Sequence, residues 1–491
     1  MLNLLLLSLS VCLLYVFITA FWNLYIHPLH HIPGPRQWIA FPILRHLSAI
    51  RGTLDSDLRR WHFRYGSAVR FGPDEASFIT AEAWKDIYGS TRPQLPRVIS
   101  SGSNTSDIIN ANDANHARYR KALAHAFSTN GVRDQEPLVI DYIVKLVGRL
   151  KEVAESKLPT DMVKWYKLTT FDMIGDLAFG EHFGGLEKSE YHHWVATVGR
   201  FTRIIPFLKI MDAYPVLFKV FLAVMPQSFW KAQAEQAEYT KLTVQKRLNS
   251  SIAQDRPDFM DSMLRHRNEK DKLSEHELES NASVLVLAGS ETPADLLSGV
   301  TYWLLKTPEA LEKATGEVRS LMKAESEITF SSVEARLPYL LACVNEGLRL
   351  YPSLPGELQR MSPDTPMKIS GYDIPPRTRV SVHQYAAYSS PTNFHDPDRF
   401  IPERWLPEAK TNPSSPYLFD NREVFQPFSV GPRGCIGKSL AYPLMRTIIA
   451  RVLWNFDFDL CEESRSWHIQ KTFGLWEKPP LICKLTQRKQ S

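Results

Sequence analysis

The chain has 491 residues, of which 44% are hydrophobic and 23% are charged, and its formal net charge at pH 7 is +5. These ordinary values exclude a disordered or fibrous protein, and a chain of this length can bury a large cofactor. No lysine or arginine run is long enough to follow a nucleic-acid backbone, and the five cysteines, without paired zinc spacing, argue against a disulfide framework.

The N-terminus is a long apolar segment, since no charged side chain occurs from Leu2 to Ile26. A helix of about 20 such residues spans the ~30 Å hydrocarbon core of a bilayer. A cleavable signal peptide is the alternative, but the charged segment that would precede its apolar region is missing. Arginines follow the segment (Arg36, Arg45 and Arg51), so the positive-inside rule places the rest of the chain in the cytosol. We therefore predict a single-pass membrane anchor over residues 1–26.

A proline-rich stretch over residues 27–36 follows the anchor, and its prolines predict a rigid exit from the membrane. Neither an internal repeat nor a low-complexity linker divides residues 37–491, which we predict to be one catalytic domain. Most of it has helical periodicity, so the predicted fold is mainly α with small β-sheets (α+β). Short strands are predicted at residues 68–71 and 76–79, which form a hairpin, and at 367–369, 372–374 and 380–383.

The longest predicted helix begins at a capping box formed by Ser274 and Glu277 and runs to about Lys306, a length of about 48 Å. Its centre reads Ala-Gly-Ser-Glu-Thr over residues 288–292. The small residues would admit a flat cofactor, and the acid with the alcohol could pass protons. A second membrane span is the alternative, but the two acids Glu291 and Asp295 at its centre would make it costly.

Pro293 lies inside this helix and leaves the carbonyl of Gly289 without its helical donor. One hypothesis is that Pro293 deepens a kink that forms a ligand groove, in which the Gly289 carbonyl takes a water or the bound ligand as its partner. The alternative is a tolerated kink without a catalytic part.

Glu346 and Arg349 are three residues apart on one predicted helical face. Alone, such a pair is usually a surface ion pair of little energetic value. Here its neighbours are apolar, and Arg404 in a downstream Pro-Glu-Arg element supplies a second cation. We therefore predict a buried structural triad.

A lone cysteine near the C-terminus, Cys435, lies in the loop Phe-Ser-Val-Gly-Pro-Arg-Gly-Cys-Ile-Gly over residues 428–437. A thiolate needs positive charge and N–H donors, and the glycines allow the main chain to fold closely around the sulfur. Such a loop suits a cysteine bound to iron. The alternative is a structural cysteine in a glycine-rich turn.

These motifs, in this order, resemble those of the cytochrome P450 family. The resemblance implies a P450 fold in which Cys435 is the axial ligand of haem iron, within a signature that contains Phe428, Gly431 and Arg433. It also implies that Thr292 is the distal hydroxyl and Glu291 the acid before it. Gly289 would contact the cofactor.

The resemblance further implies that haem propionates bind Arg433, Arg120 and Arg360, with His116 replacing the more usual tryptophan four residues before Arg120. The triad of Glu346, Arg349 and Arg404 would lock the region behind the haem loop.

The implied activity is that of a membrane-bound haem-thiolate monooxygenase containing haem b and receiving electrons from NADPH through a flavoprotein reductase. The sequences of several segments are similar to those of fungal microsomal members of the family. These members hydroxylate or epoxidise terpenoid or polyketide intermediates of secondary metabolism. We therefore expect a monomer in the endoplasmic reticulum membrane, facing the cytosol, with a hydrophobic substrate. A reductase-independent isomerase or dehydratase and a degenerate haem-binding protein are the alternatives.

The segments expected to line the substrate pocket are 98–112, 201–229 and 353–357, together with the turn at Phe473.

Overall fold

The computed structural model describes residues 2–89, 94–100, 103–195, 207, 210, 213–214, 225–249, 258–265, 272–356 and 358–489. Within these ranges the protein is mainly helical, with short strands in three small sheets, which confirms the predicted fold class. The described α-helices, in chain order, are α1 (Leu2–Phe21), α2 (Arg36–Ala40), α3 (Ile43–Arg51), α4 (Leu54–Tyr65), α5 (Ala81–Tyr88), α6 (Asp113–Leu123), α7 (Thr129–Ser156), α8 (Met162–Phe179), α9 (Gly185–Lys188), α10 (Gln227–Asn249), α11 (Phe259–Leu264), α12 (Glu275–Lys306), α13 (Pro308–Leu321), α14 (Phe330–Arg336), α15 (Pro338–Leu350), α16 (Gln384–Tyr388), α17 (Glu408–Thr411) and α18 (Lys438–Asn455).

The predicted hairpin and the three further strands are all present, with boundaries shifted by at most one residue. The described strands are β1 (Ala68–Gly72), β2 (Glu75–Phe78), β3 (Thr160–Asp161), β4 (Arg360–Met361), β5 (Met367–Ile369), β6 (Tyr372–Ile374), β7 (Arg379–Val382), β8 (Phe456–Leu460) and β9 (Ile482–Gln487). The sheets have the orders β1-β2-β7-β4, β3-β9-β8 and β5-β6. β1 pairs antiparallel with β2, which pairs in parallel with β7, so a distant strand extends the local hairpin.

Helix α12 forms the centre of the domain and confirms the predicted long helix. The side chain of Ser274 accepts a hydrogen bond from the Glu277 N–H, and the Glu277 carboxylate accepts one from the Ser274 N–H, so the capping box fixes the first turn. The helix continues through Pro293 to Lys306. One side of it is buried against α8, α15 and α18, which places the middle of α12 beside the Cys435 loop.

The N-terminal apolar helix projects from the rest of the molecule. α1 continues into one further helical turn, so residues 2–26 form a helix that is long and apolar enough to cross a membrane. Only 6% of its most apolar 18-residue stretch is buried. The chain then runs against the first sheet, where Arg70 donates a side-chain hydrogen bond to the Asn23 carbonyl at 2.7 Å. A Cβ at Gly34 would lie 1.8 Å from the Arg70 carbonyl oxygen, so this close approach requires glycine.

Candidate active site

Cys435 lies in a tight loop immediately before α18. The Cys435 N–H donates to the Phe428 carbonyl at 2.8 Å, and the Gly434 N–H donates to the Gly431 carbonyl at 2.9 Å. Gly431 has a φ of +74°, and a Cβ there would lie 1.9 Å from the Tyr88 carbonyl oxygen. The loop therefore needs glycine at position 431, and its backbone hydrogen bonds hold Cys435 in place.

The Cys435 side chain is enclosed by protein but accessible from an internal cavity. Burial raises the pKa of its thiol above the ordinary value, although the N–H groups of Gly437 and Lys438 and the charge of Arg120 act in the opposite direction. The protein groups alone therefore leave the thiol protonated. A coordinated metal ion supplies the further positive charge that removes such a proton, so this environment fits a metal-bound thiolate.

Four arginines line the same cavity: Arg97, Arg120, Arg360 and Arg433. Burial, followed by the charge of Arg97, lowers the pKa of Arg360 to about 10. Burial and the charge of Arg433 also lower the pKa of Arg97. Within the described part of the chain, Arg97, Arg120 and Arg360 have no salt-bridge partner. The charges of Arg97 and Arg360 repel each other, and an anionic ligand in the cavity would stabilise all three arginines.

Arg433 and Arg120 also hold the cysteine loop. Arg433 donates to Asp113 Oδ1 at 2.7 Å, and Arg120 donates to the Gly434 carbonyl at 2.6 Å. The Nη1 atom of Arg433 is buried without a hydrogen-bond partner among the described residues. Burial and the charges of Arg433 and Arg120 lower the pKa of His116 to about 4, so this ring is neutral at pH 7.

The cavity beside Cys435 has a volume of about 270 Å³ and a mostly apolar wall. Two of the predicted pocket segments contribute to it, with Ile108 and Ile109 from the first and Ser353 and Leu354 from the third. Most of the predicted segment 201–229 lies outside the described residues. Phe473 instead lies against Gly52, between α3 and α4, because its turn folds towards the N-terminal helices.

These residues fit a haem group. The thiol that faces the cavity matches an iron ligand, the arginines match two propionate groups, and the apolar wall matches a porphyrin ring. Cys435 would bind the iron, and Arg97, Arg120, Arg360 and Arg433 would bind the propionates. Phe428 lines the cavity as the resemblance implies, and its ring packs on Tyr442 with centroids 4.8 Å apart.

The middle of α12 presents Ala288, Thr292 and Pro293 to this cavity. Thr292 Oγ1 donates to the Ala288 carbonyl at 2.7 Å, so its hydroxyl is held at the cavity wall. The Cα of Gly289 packs against α8, because a Cβ there would lie 3.1 Å from Ile174. Gly289 does not line the cavity, although Pro293, four residues later, does.

Glu291 faces away from the cavity and is buried with a side-chain exposure of 5%. Its carboxylate pairs with Lys167 Nζ at 2.9 Å and with Lys478 Nζ at 3.3 Å. Burial opposes its ionisation, but the charges of Lys478 and Lys167 outweigh burial and lower the pKa of Glu291. Thr292 and Glu291 therefore lie on different faces of α12, and a proton passing between them needs a side-chain rotation or a bridging water.

The structure brings Glu346, Arg349 and Arg404 together, each with a fully buried side chain. Arg349 binds the Glu346 carboxylate through two hydrogen bonds of 2.7 and 2.9 Å, and Arg404 reaches it at 3.1 Å. Arg404 also pairs with the buried Asp420. This network ties α15 to the segment that precedes the cysteine loop.

Asn281 connects α12 to the segment that carries Ile108. Its side chain is fully buried, accepts from the Ile108 N–H at 2.8 Å and donates to the Ser106 carbonyl at 3.2 Å. Ser280 adds an outer contact by accepting from Asn104 at 2.9 Å. Asn281 therefore fixes the position of Ile108 and Ile109 at the cavity wall.

We expect Asn281→Ala to weaken the binding of a bulky phenyl-substituted imidazole about tenfold. The reason is that an unpaired buried N–H or C=O group costs about 1–3 kcal/mol, and tenfold corresponds to ~1.4 kcal/mol. Imidazole itself should bind as before, since it needs no ordered loop. Spectral titration of both ligands measures this, and Ser280→Ala is the matched control, which leaves the Asn281 bonds in place. Equal affinities of the wild type and Asn281→Ala for both ligands would contradict the role given to Asn281.

The sequence did not indicate Arg97, Asp420, Lys167 or Lys478. These side chains reach the site from segments that are distant in sequence, and no local pattern marks them. Asn281 could have been found, because it lies seven residues, or two helical turns, before Ala288 and so on the same face of α12.

Comparisons with known proteins give consistent matches over nearly the whole chain. The model of the family described as Cytochrome P450 matches residues 33–484. The chain is 52% identical over 483 residues to Trichothecene C-4 hydroxylase of Trichoderma arundinaceum, covering 98% of this chain and 97% of that protein. It is 40% identical over 491 residues to Averantin hydroxylase of Dothistroma septosporum, covering 98% and 91%, respectively. A cytochrome P450 monooxygenase of Metarhizium robertsii is 39% identical over 476 residues, covering 96% and 92%.

Proposed function

The chain belongs to the cytochrome P450 family and is a haem-containing monooxygenase, and from this premise we propose that it hydroxylates a trichothecene in fungal secondary metabolism. The observation that carries the proposal is the 52% identity to a trichothecene C-4 hydroxylase over nearly the full length of both chains. The mostly apolar cavity beside Cys435 supports a hydrophobic substrate of this kind. Averantin, the substrate named for a relative at 40% identity, is the second candidate.

The site residues have distinct parts in this reaction. When bound, haem activates dioxygen so that one oxygen atom enters a C–H bond and the other leaves as water. Cys435 would hold the iron as a thiolate and would supply the electron density that favours this chemistry. The Thr292 hydroxyl can hold a proton at the cavity wall, and Glu291 can replace it through a side-chain rotation or a bridging water. The apolar residues of the wall exclude bulk water and bind the substrate skeleton.

The proposal includes a flavoprotein reductase that passes electrons from NADPH, as is general in membrane-bound relatives. It also includes a single-pass anchor over residues 1–26, a hinge over 27–36 and a catalytic domain over 37–491 on the cytosolic side of the endoplasmic reticulum. The apolar, exposed helix over residues 2–26 and the arginines that follow it support this arrangement. Lipid and reductase are therefore the expected partners, and the protein acts as a monomer.

The test uses the full-length protein in lipid vesicles with a fungal P450 reductase, NADPH and isotopically labelled dioxygen. A trichothecene without oxygen at C-4 should yield a product heavier by one labelled oxygen atom, whereas averantin should give little or none. Oxidation of averantin alone would overturn the trichothecene proposal. Product formation without dioxygen would instead support an isomerase or dehydratase.

A further inference from the structure

Four charged side chains form a buried cluster behind the catalytic face of α12. Lys167 comes from α8, Glu291 and Asp295 come from α12, and Lys478 comes from the segment before β9. The side-chain exposures of Glu291, Asp295 and Lys478 are 5%, 0% and 3%, whereas that of Lys167 is 19%. The cluster therefore reaches solvent through Lys167.

Lys478 has two acidic partners and is closer to one of them. It forms a close ion pair with Asp295 Oδ1, and its distance to Glu291 Oε2 is 3.3 Å. Lys167 pairs with Glu291 at 2.9 Å. The two lysines and two carboxylates balance in charge. Lys478 lies nearer to Asp295 than to Glu291, so Asp295 offsets part of its attraction for Glu291, which both lysines contact.

Asp295 is a costly residue to bury at this position. Its Oδ2 atom has no hydrogen-bond partner in the part of the chain that the structure describes. Burial raises the pKa of Asp295 to about 6, the charge of Lys478 lowers it, and the charge of Glu291 raises it. The other titratable groups facing it are Lys167 of α8 and Tyr351 at the end of α15. Burying this carboxylate with one oxygen unpaired lowers the stability of the fold, which suggests that Asp295 serves a function.

We propose that Asp295 and Lys478 are positioning residues that keep Glu291 able to deliver protons towards Thr292. The proposal rests on the monooxygenase activity and deepens it. While Asp295 holds Lys478, the attraction of that lysine for Glu291 is only partial, and the carboxylate can still bind a proton. Without the Asp295 charge, Lys478 would turn to Glu291, and two lysines would hold the carboxylate ionised and in place. Glu291 takes up a proton that bulk solvent supplies at the partly exposed Lys167 and then releases it towards Thr292, so the carboxylate is restored after each turnover.

The first test is Asp295→Asn in the full-length protein with reductase, NADPH and any substrate that the wild type oxidises. The yield of product per NADPH should fall about tenfold, because proton delivery by a positioned group contributes at least this much. The KM for substrate and the carbon monoxide spectrum should stay unchanged, since Asp295 does not line the cavity. An unchanged yield per NADPH would overturn the proposal. This ratio can be measured with any substrate that the protein accepts. Failure of the positioning role can therefore be told apart from failure of the trichothecene proposal.

The second test is rescue by a charge-matched change. Asp295→Asn combined with Lys478→Gln removes one charge of each sign and leaves the pair of Glu291 with Lys167. We expect the yield per NADPH to recover to within about threefold of the wild type, because the interaction of coupled sites is non-additive. A double variant with full haem content that performs as poorly as Asp295→Asn alone would overturn the positioning role. If Asp295 had only a structural role, the second substitution would lower the yield per NADPH further instead of restoring it.

A third measurement needs no variant to be active. In infrared difference spectra of the wild type, a protonated carboxyl band should titrate near pH 6, and Asp295→Asn should lack it. The wild-type yield per NADPH should fall as pH decreases through this value, because protonation of Asp295 mimics the amide. Absence of both the band and the pH-dependent loss in the wild type would overturn the proposal.

Discussion

Replacing Cys435 by serine is expected to abolish the red-shifted Soret band of the reduced, carbon monoxide-treated protein and to remove monooxygenase activity. A serine hydroxyl keeps its proton where a metal-bound thiol loses it, so the electron donation of the thiolate disappears. The loop itself should persist, because the bond from the Cys435 N–H to the Phe428 carbonyl involves only the backbone. The carbon monoxide difference spectrum, the haem content per chain and the product yield measure the three effects.

Cys461→Ser is the matched control for this experiment. Cys461 is half-buried after β8, and its N–H bonds to the Ile482 carbonyl as part of the β8–β9 pairing. Its substitution should leave the spectrum and the activity unchanged. A Cys435→Ser protein that kept the red-shifted band at full intensity would show that another residue binds the iron.

The parts of the fold that could be predicted from sequence are those set by neighbouring residues. The capping box at Ser274 fixes the start of α12 because both of its partners lie within one turn. The β1–β2 hairpin follows from the turn over residues 72–75 between two strand-forming runs. The pairing of β2 with β7 joins residues about 300 positions apart, and no local pattern determines such a contact.

The same limit applies to the site. The residue types at positions 288–292 predict chemistry, but the direction of each side chain depends on its partners. Lys478 reaches Glu291 across 187 positions of sequence, so the orientation of the acid away from the cavity could not be read from α12 alone. Gly289 faces α8 for the same reason. The helical period relates the directions of neighbouring residues, whereas the tertiary contacts determine which direction faces the cofactor.

We expect Arg349→Leu to lower the free energy of unfolding by about 3–5 kcal/mol, because it leaves Glu346 with a buried and only partly compensated charge. Arg349 also donates to the carbonyls of Tyr388, Pro397 and Arg399 at 2.6–3.0 Å, and these would lose their donor. Proteins are stable by only about 5–15 kcal/mol, so the yield of haem-loaded protein should fall steeply. Denaturant unfolding followed by tryptophan fluorescence measures the change at pH 7.

The effect of Arg349→Leu should shrink in acid. Burial raises the pKa of Glu346, but the charges of Arg349 and Arg404 outweigh burial and lower it below the ordinary value of 4.5. Stability from this pairing is therefore fully present above pH 4.5 and is lost as the pH falls through the lowered value. The difference in unfolding free energy between wild type and Arg349→Leu should accordingly be largest near neutral pH.

The chain offers a matched control in a second Glu-x-x-Arg pair, Glu462 with Arg465. Its ions lie 2.9 Å apart at the same spacing, but the side chains are 75% and 66% exposed, whereas those of Glu346 and Arg349 are fully buried. Because water screens an exposed pair, Arg465→Leu should cost at most about 1 kcal/mol. Equal losses in Arg465→Leu and Arg349→Leu would mean that sequence spacing, and not burial, determines the energetic value of the motif. A large loss in Arg349→Leu alone would show that the apolar surroundings make it a structural lock.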